Sequence, residues 1–189
     1  MKKSLIALLL LAFLQVTSFA QDTWKADPPH SRIGFVITHL GISEITGSFT
    51  KFDASIRAAK PDFSDAIFEL SIDVDSIDTA VQKRDGHLRS PDFFEVAKYP
   101  TMTFRSKSIA PAGKDRYTLT GDLTIRGQTK TVTMNLWHRG TTLNQKNTTA
   151  GFQLTGTLKR SDFGVGPKFA PPMISDQLEI KADGEFIKQ

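Results

Sequence analysis

From Ile33 onward the chain alternates apolar and polar positions with period 2, the mark of strands that bury one face in a core and wet the other. The cleanest run sets Phe68, Leu70, Ile72 and Val74 against Glu69, Ser71, Asp73 and Asp75. Others place Ile33, Phe35 and Ile37, then Ile45, Gly47 and Phe49, then Met102 and Phe104 on one face. Tyr117, Leu119, Leu123 and Ile125 follow, and after a turn Val132, Met134 and Leu136. Phe152, Leu154 and Leu158, and finally Leu178, Ile180, Ala182 and Phe186, complete a pattern of eight strands. Gly127 and Gln128 between two such runs predict a two-residue hairpin of type II′ with Gly first, and Pro111–Asp115 predicts a looser one. Neighbours in sequence are therefore expected to pair antiparallel.

Two segments break the alternation. Over residues 78–99, Asp78 or Thr79 is placed to cap one helical turn and Ser90, before Pro91, another. The stretch Arg160–Met173 carries three Pro and two Gly and reads as a loop, yet it holds Phe163, Val165, Phe169 and Met173. Apolar residues in a loop usually cover something. The class is all-β with a short helical insertion; alternation alone leaves an up-and-down barrel and a sandwich both open. A barrel would remove exposed strand edges and leave an interior that either fills with side chains or holds one small ligand.

Composition narrows the class. With 189 residues, 39% hydrophobic and 23% charged, the chain is a globular domain and not a disordered one. Lys2 and Lys3 precede an apolar run from Leu5 to Leu14, and Ser18 and Ala20 put small residues before a cut ahead of Gln21. Residues 1–20 are thus expected to be a signal peptide and residues 21–189 one exported, periplasmic domain. The run is too short for a spanning helix. Losing Lys2 and Lys3 halves the formal net charge of +4, and the remaining charges are interleaved, which argues against a nucleic-acid partner. There is no Cys, so the domain stands on its hydrophobic core without disulfides.

Catalytic signatures are missing from the sequence: there is no HExxH, no GxSxG, no GxxxxGK[ST] and no Cys nucleophile. His30, His39, His87 and His138 share no tight ligand spacing, so no metal site is expected. Asp73 and Asp75 lie on a polar face and read as solvated charge. The positive signal is aromatic. Of 14 Phe, only Phe13 and Phe19 fall before residue 21, and Phe35, Phe49, Phe68, Phe104, Phe152 and Phe186 share the inward register of different strands. An ordinary packed core and a lined cavity both satisfy that pattern; Phe93, Phe94, Phe163 and Phe169 outside the strands favour an apolar mouth.

Several of these residues are familiar as a set. Trp24, Asp27, His30, Ser31, Phe35, His39, Gly47, Phe49 and Phe52 resemble the opening of the YceI-like family. Ser76, Ile77, Thr79, Asp85, His87, Leu88, Ser90, Asp92, Phe93, Phe94, Tyr99, Pro100 and Phe104 resemble its middle. Gly121, Leu123, Thr124, Gly127, Thr129 and Lys130 resemble its hairpin, and Arg160, Asp162, Phe163 and Gly164 its late loop. The resemblance implies a lipocalin-like eight-stranded antiparallel barrel with a helix beside one opening, whose apolar pore takes a polyisoprenoid or similar long-chain amphiphile.

On that reading the pore lining comprises Phe35, Ile37, Phe49, Phe68, Leu70, Ile72, Phe93, Phe94, Phe104, Leu119, Leu123, Met134, Phe152, Leu154, Phe163, Leu178 and Ile180. A headgroup at the mouth would meet Arg84, His87, Arg89, Ser90 and Arg160. The expected ligand is an isoprenoid or quinone-like lipid, with no cofactor, no metal and no reaction. Transient membrane contact and a monomer or homodimer are expected. Two other readings stay open: an enzyme using His39 or His87 as acid or base on a small apolar substrate, and a stress or interaction protein with a packed, ligand-free core.

Overall fold

A computed structural model describes residues 21–144 and 146–189; the signal peptide expected over residues 1–20 lies outside the described residues. The strands are β1 (Asp22–Ala26), β2 (Arg32–His39), β3 (Ser43–Phe49), β4 (Phe52–Ala58), β5 (Ile67–Asp73), β6 (Ile77–Asp78), β7 (Thr101–Gly113), β8 (Arg116–Ile125), β9 (Gln128–Asn144), β10 (Asn147–Lys159) and β11 (Ile174–Lys188), with one helix, α1 (Gln82–Arg89). Strand β11 pairs with β2 over Ile174–Asp183 and with β1 over Phe186–Lys188. Hence β1 and β2 are two halves of one stave, broken by a 3-10 turn at Pro28–His30. Their partners break likewise, β3 pairing with β2 and β4 with β1, and so do β5 and β6. Counting each broken pair once gives a closed eight-stranded antiparallel barrel with one short helix, which selects the barrel over the sandwich.

Local chemistry departs from the sequence reading in a few places. Strands β1 and β4 are not among the runs read from alternation: β1 is short, whereas β4 does alternate, Phe52, Ala54, Ile56 and Ala58 against Asp53, Ser55 and Arg57. Residue Asp75 lies in a 3-10 turn rather than on a strand, where its N–H donates to Asp73 Oδ1 at 3.0 Å. The β8–β9 turn is Arg126–Gly127, with φ of +49° and +72°. Positive φ at both positions is type I′, which suits the strand twist better than the expected II′. The polar residues 139–149, where no alternation marks a strand, mostly continue β9 and β10 into a long hairpin.

The helical segment is also capped differently. Thr79 is not the N-cap; its hydroxyl donates to Asp85 Oδ1 at 2.5 Å, and its N–H to the same oxygen at 2.9 Å. Ser90 closes α1 rather than opening a second helix, its N–H donating to the His87 carbonyl.

One barrel end is plugged. Phe63, in the β4–β5 connection, is 1% exposed and holds φ +59°. Its ring meets Trp24 at 5.2 Å, Phe152 at 4.9 Å and His138 at 4.9 Å. The loop is stitched by the Asp65 carboxylate, which accepts from the N–H groups of Ala59 and Lys60, and by the Tyr117 hydroxyl, which donates to the Asp62 carbonyl. This floor makes the interior a cup and not an open tube.

Candidate ligand cavity

Between the floor and the helix-bearing end lies a cavity of about 190 Å³. Strand alternation aims the inward residues of β2, β5, β7, β8, β10 and β11 into it. All the expected pore residues line it except Phe68, Leu119 and Phe152. Those three instead bound a second cavity of about 90 Å³ nearer the floor. The two cavities share Ile33, Leu70, Phe104, Leu154 and Ala182, which form a waist between them. Residues not singled out from sequence also line the main cavity, among them Ile45, Thr79, Leu88, Ile125, Val165 and Ile174. Ile45 and Ile125 carried a legible alternation signal; Leu88 and Ile174 carried none.

At the helix-bearing end the turn after α1 packs against the loop before β11. Phe93 stacks on Phe169 with centroids 4.8 Å apart, and His87 presents its ring edge-on to Phe93 at 5.0 Å and to Phe169 at 5.4 Å. Lys168 Nζ donates to Asp92 at 2.8 Å, and the His87 ring pairs with the other Asp92 oxygen at 3.3 Å. These two hydrogen bonds hold the Asp92 carboxyl below its usual range. Arg126, from the β8–β9 turn, donates to the carbonyls of Gly164 and Pro91 and to Glu95 Oε2, joining both halves of the lid.

The expected headgroup residues separate into two groups. Arg84 and Arg160 line the cavity; His87, Arg89 and Ser90 do not. Arg160 is 8% exposed, and its guanidinium donates to the carbonyls of Ser175, Val165, Gly166, Phe169 and Ile174. All five of its N–H bonds are spent on the late loop and the first residues of β11, so it organises the lid instead of offering itself to a headgroup. Burial pushes its pKa down, yet an Arg remains charged. Arg84 donates through Nε to Thr79 Oγ1 and through Nη2 to the Thr79 carbonyl, both at 2.7 Å. Arg89 is committed to the carbonyls of Asp75 and Ile77. Ser90 Oγ accepts from the Asp92 N–H at 3.3 Å.

The histidines weighed as acid or base also part company: His39 lines the cavity, while His87 is held in the lid. Among the described residues, Asp27, His30 and Glu185 bring ligand-type atoms within 4.8 Å of one another at the barrel surface. The His30–Asp27 hydrogen bond at 2.8 Å accounts for much of that cluster and raises the His30 pKa.

Comparison with known proteins agrees with this architecture. Residues 24–186 match the family model described as the YceI-like domain. A UPF0312 protein of Photorhabdus laumondii is 35% identical over 188 residues, covering 97% of each chain. The crystal structure of BcnA from Burkholderia cenocepacia superposes with a TM-score of 0.75 at 30% identity, covering 85% of this chain and 98% of that one. A polyisoprenoid binding domain from Saccharophagus degradans shares the fold with a TM-score of 0.67 at 17% identity, covering 88% of this chain and 98% of that one.

Proposed function

Since this chain belongs to the YceI-like domain family, we propose that its barrel binds the apolar chain of a lipid, a polyisoprenoid or quinone-like amphiphile, and shields it from water. The observation that carries this reading is the main cavity itself, about 190 Å³ with Phe, Leu, Ile and Met walls under an aromatic lid. An apolar cavity of about 150 Å³ in another protein stays dry and takes benzene. A ligand-free packed core would leave no such space. The family relative described as polyisoprenoid binding points to the same ligand class.

Magnitudes favour a long chain. On the benzene scale the main cavity accommodates about eight heavy atoms, and at ~0.8 kcal/mol per buried methylene they contribute about 6 kcal/mol. Association costs roughly 4–15 kcal/mol, so a short guest binds weakly. Tight binding needs a chain that also reaches past the waist into the second cavity, or one that displaces side chains. The protein then acts by burial, with no bond made or broken, as a periplasmic carrier or reservoir reached through the N-terminal leader.

The test is mass spectrometry of organic extracts from protein purified from the periplasmic fraction. The parent is expected to yield a prenyl-chain lipid, and Phe35→Glu or Phe94→Glu, which place a charge in the cavity wall, to yield none. Equal lipid recovery from parent and variants, or a clean parent, would defeat the reading. Turnover of a small apolar substrate that His39→Gln abolishes while binding persists would favour the enzyme instead.

A further inference from the structure

The hydrogen-bonded wall of the barrel is interrupted by a seam where β1 passes into β2 and β3 into β4. The β1–β4 ladder runs out at Lys25 opposite Ser55, and the β2–β3 ladder starts at Ile33 opposite Phe49. Residues 26–32 and 50–54 face each other between these points without a ladder. Several backbone groups along each edge find partners elsewhere, as peptide groups withdrawn from water must. On one side Asp27 N–H donates to the Glu185 carbonyl at 2.8 Å and Ser31 N–H to the Pro28 carbonyl at 3.2 Å. On the other, Thr50 N–H donates to the Ser76 carbonyl at 3.2 Å, Lys51 N–H to Ser76 Oγ at 3.0 Å, and the Lys51 carbonyl accepts from Asp73 N–H at 3.0 Å. The seam therefore parts without breaking a strand ladder.

Behind it lies the small cavity, and outside it a surface depression; both are bounded by Ala26, Phe52, Ala54, Ser55, Glu69 and Leu70. On the seam itself the shared wall is the methyl groups of Ala26 and Ala54 and the half-buried ring of Phe52. The lid at the mouth is held far more firmly, by the hydrogen bonds of Arg126 and Lys168 and the Phe93–Phe169 stack. We propose that the seam is a side door through which an apolar chain enters tail first, with the Phe52 ring as its flap, passing the small cavity and the Phe104 waist to reach the main one. This rests on the lipid-binding reading above and adds a route to it. The class of ligand is a single slender chain, with its polar head left at the seam beside Lys25, Ser31 and Arg32.

The chain has no native cysteine, so engineered pairs report cleanly. One step beyond the last paired residues, Lys25 and Ser55, extrapolation of the register sets Ala26 opposite Ala54, which makes Ala26→Cys/Ala54→Cys the staple across the seam. Asp92→Cys/Lys168→Cys, joined by a short bismaleimide because a Lys–Asp ion pair does not set the two Cβ atoms at disulfide distance, is the matching staple across the lid, its closure confirmed by thiol titration. Uptake of cis-parinaric acid is followed by stopped-flow fluorescence with each staple closed and open. The seam staple is expected to slow uptake at least tenfold, with recovery on reduction, the lid staple to leave it unchanged, and Phe52→Ala to accelerate it. A seam staple without effect, or a slowing confined to the lid staple, overturns the side door. If thiol titration shows the seam staple unclosed, Ala54→Trp fills the same doorway and an unaltered rate is equally fatal. Failure of cis-parinaric acid to bind the parent at all strikes the lipid-binding reading instead.

Discussion

The Phe104 ring lies across the α-carbon of Gly121, so closely that a Cβ at residue 121 would stand 2.5 Å from the ring Cζ and 2.5 Å from the Arg105 carbonyl oxygen. The absence of a side chain at Gly121 is what lets the ring recline and leaves a waist instead of a solid partition. Gly121→Ala is expected to push the ring inward and strain the β7–β8 ladder, costing about 1–3 kcal/mol, the usual range for overpacking. Gly121→Ala combined with Phe104→Leu should recover part of that loss, because only the ring clash is relieved. Urea midpoints of the two single variants and the double variant measure the coupling; strict additivity would show that ring and glycine do not interact.

Arg160 supplies the second prediction. Its five donors converge on three carbonyls of the loop before β11 and on those of Ile174 and Ser175 at the start of β11, so truncation strands several acceptors at once. Arg160→Met, similar in length, should destabilise the fold by about 3 kcal/mol or more, since leaving buried polar groups unpaired costs about 1–3 kcal/mol each. Arg160→Lys, a point charge without the planar fork, should rescue only a fraction. If Arg160 served a headgroup alone, Arg160→Met would lose ligand affinity at unchanged urea midpoint, and that outcome would refute the structural role.

Much of the barrel was legible in the sequence because alternation is a backbone property. Phe68, Leu70 and Ile72 announce an inward face whatever surrounds them, and the same holds for β2, β7, β8, β10 and β11. What alternation cannot express is depth along the barrel axis. Phe68, Leu119 and Phe152 share the register of Phe35 and Leu123, yet they sit nearer the floor because Phe63 is driven in beside them from a loop that carries no periodic signal. The strand breaks were illegible for a related reason: Pro28–His30 and Val74–Ser76 are short 3-10 turns whose consequence, the seam, depends on where partner strands run out. Arg160 reads from the sequence as a headgroup contact at the mouth; only the fold brings five carbonyls to it.

A third prediction concerns the lid. Arg126 ties the β8–β9 turn to both the Pro91–Glu95 segment and Gly164. Arg126→Ala should cost about 1–3 kcal/mol, as for loss of charge-assisted hydrogen bonds. Its signature is local: amide hydrogen exchange should accelerate over residues 91–95 and 164–169 while the strands β8 to β10 stay protected. Arg126→Lys should fall between the two. Uniform acceleration across the barrel would mean that Arg126 stabilises the whole fold and not the lid.

Two histidines give stability opposite slopes on either side of their ordinary pKa of 6.5. Burial against Phe63 and Phe152 pushes the His138 pKa down. The unfolded chain therefore takes up a proton near pH 6.5 that the folded chain refuses until lower pH, and stability falls as pH drops through that window. His30 is shifted the other way, first by its hydrogen bond to Asp27 and then by that carboxylate's charge. Its contribution is complete below pH 6.5 and is lost as pH rises through the elevated folded value. The carboxyls of Asp92 and Asp122, held below 3.8, act only in a more acidic window. Urea midpoints measured from pH 5 to 8 should thus peak near the ordinary histidine pKa, His138→Gln flattening the acid limb and His30→Gln the alkaline one. A His138→Gln profile whose acid limb keeps the parent's slope would show that this imidazole is protonated as readily in the barrel as in water.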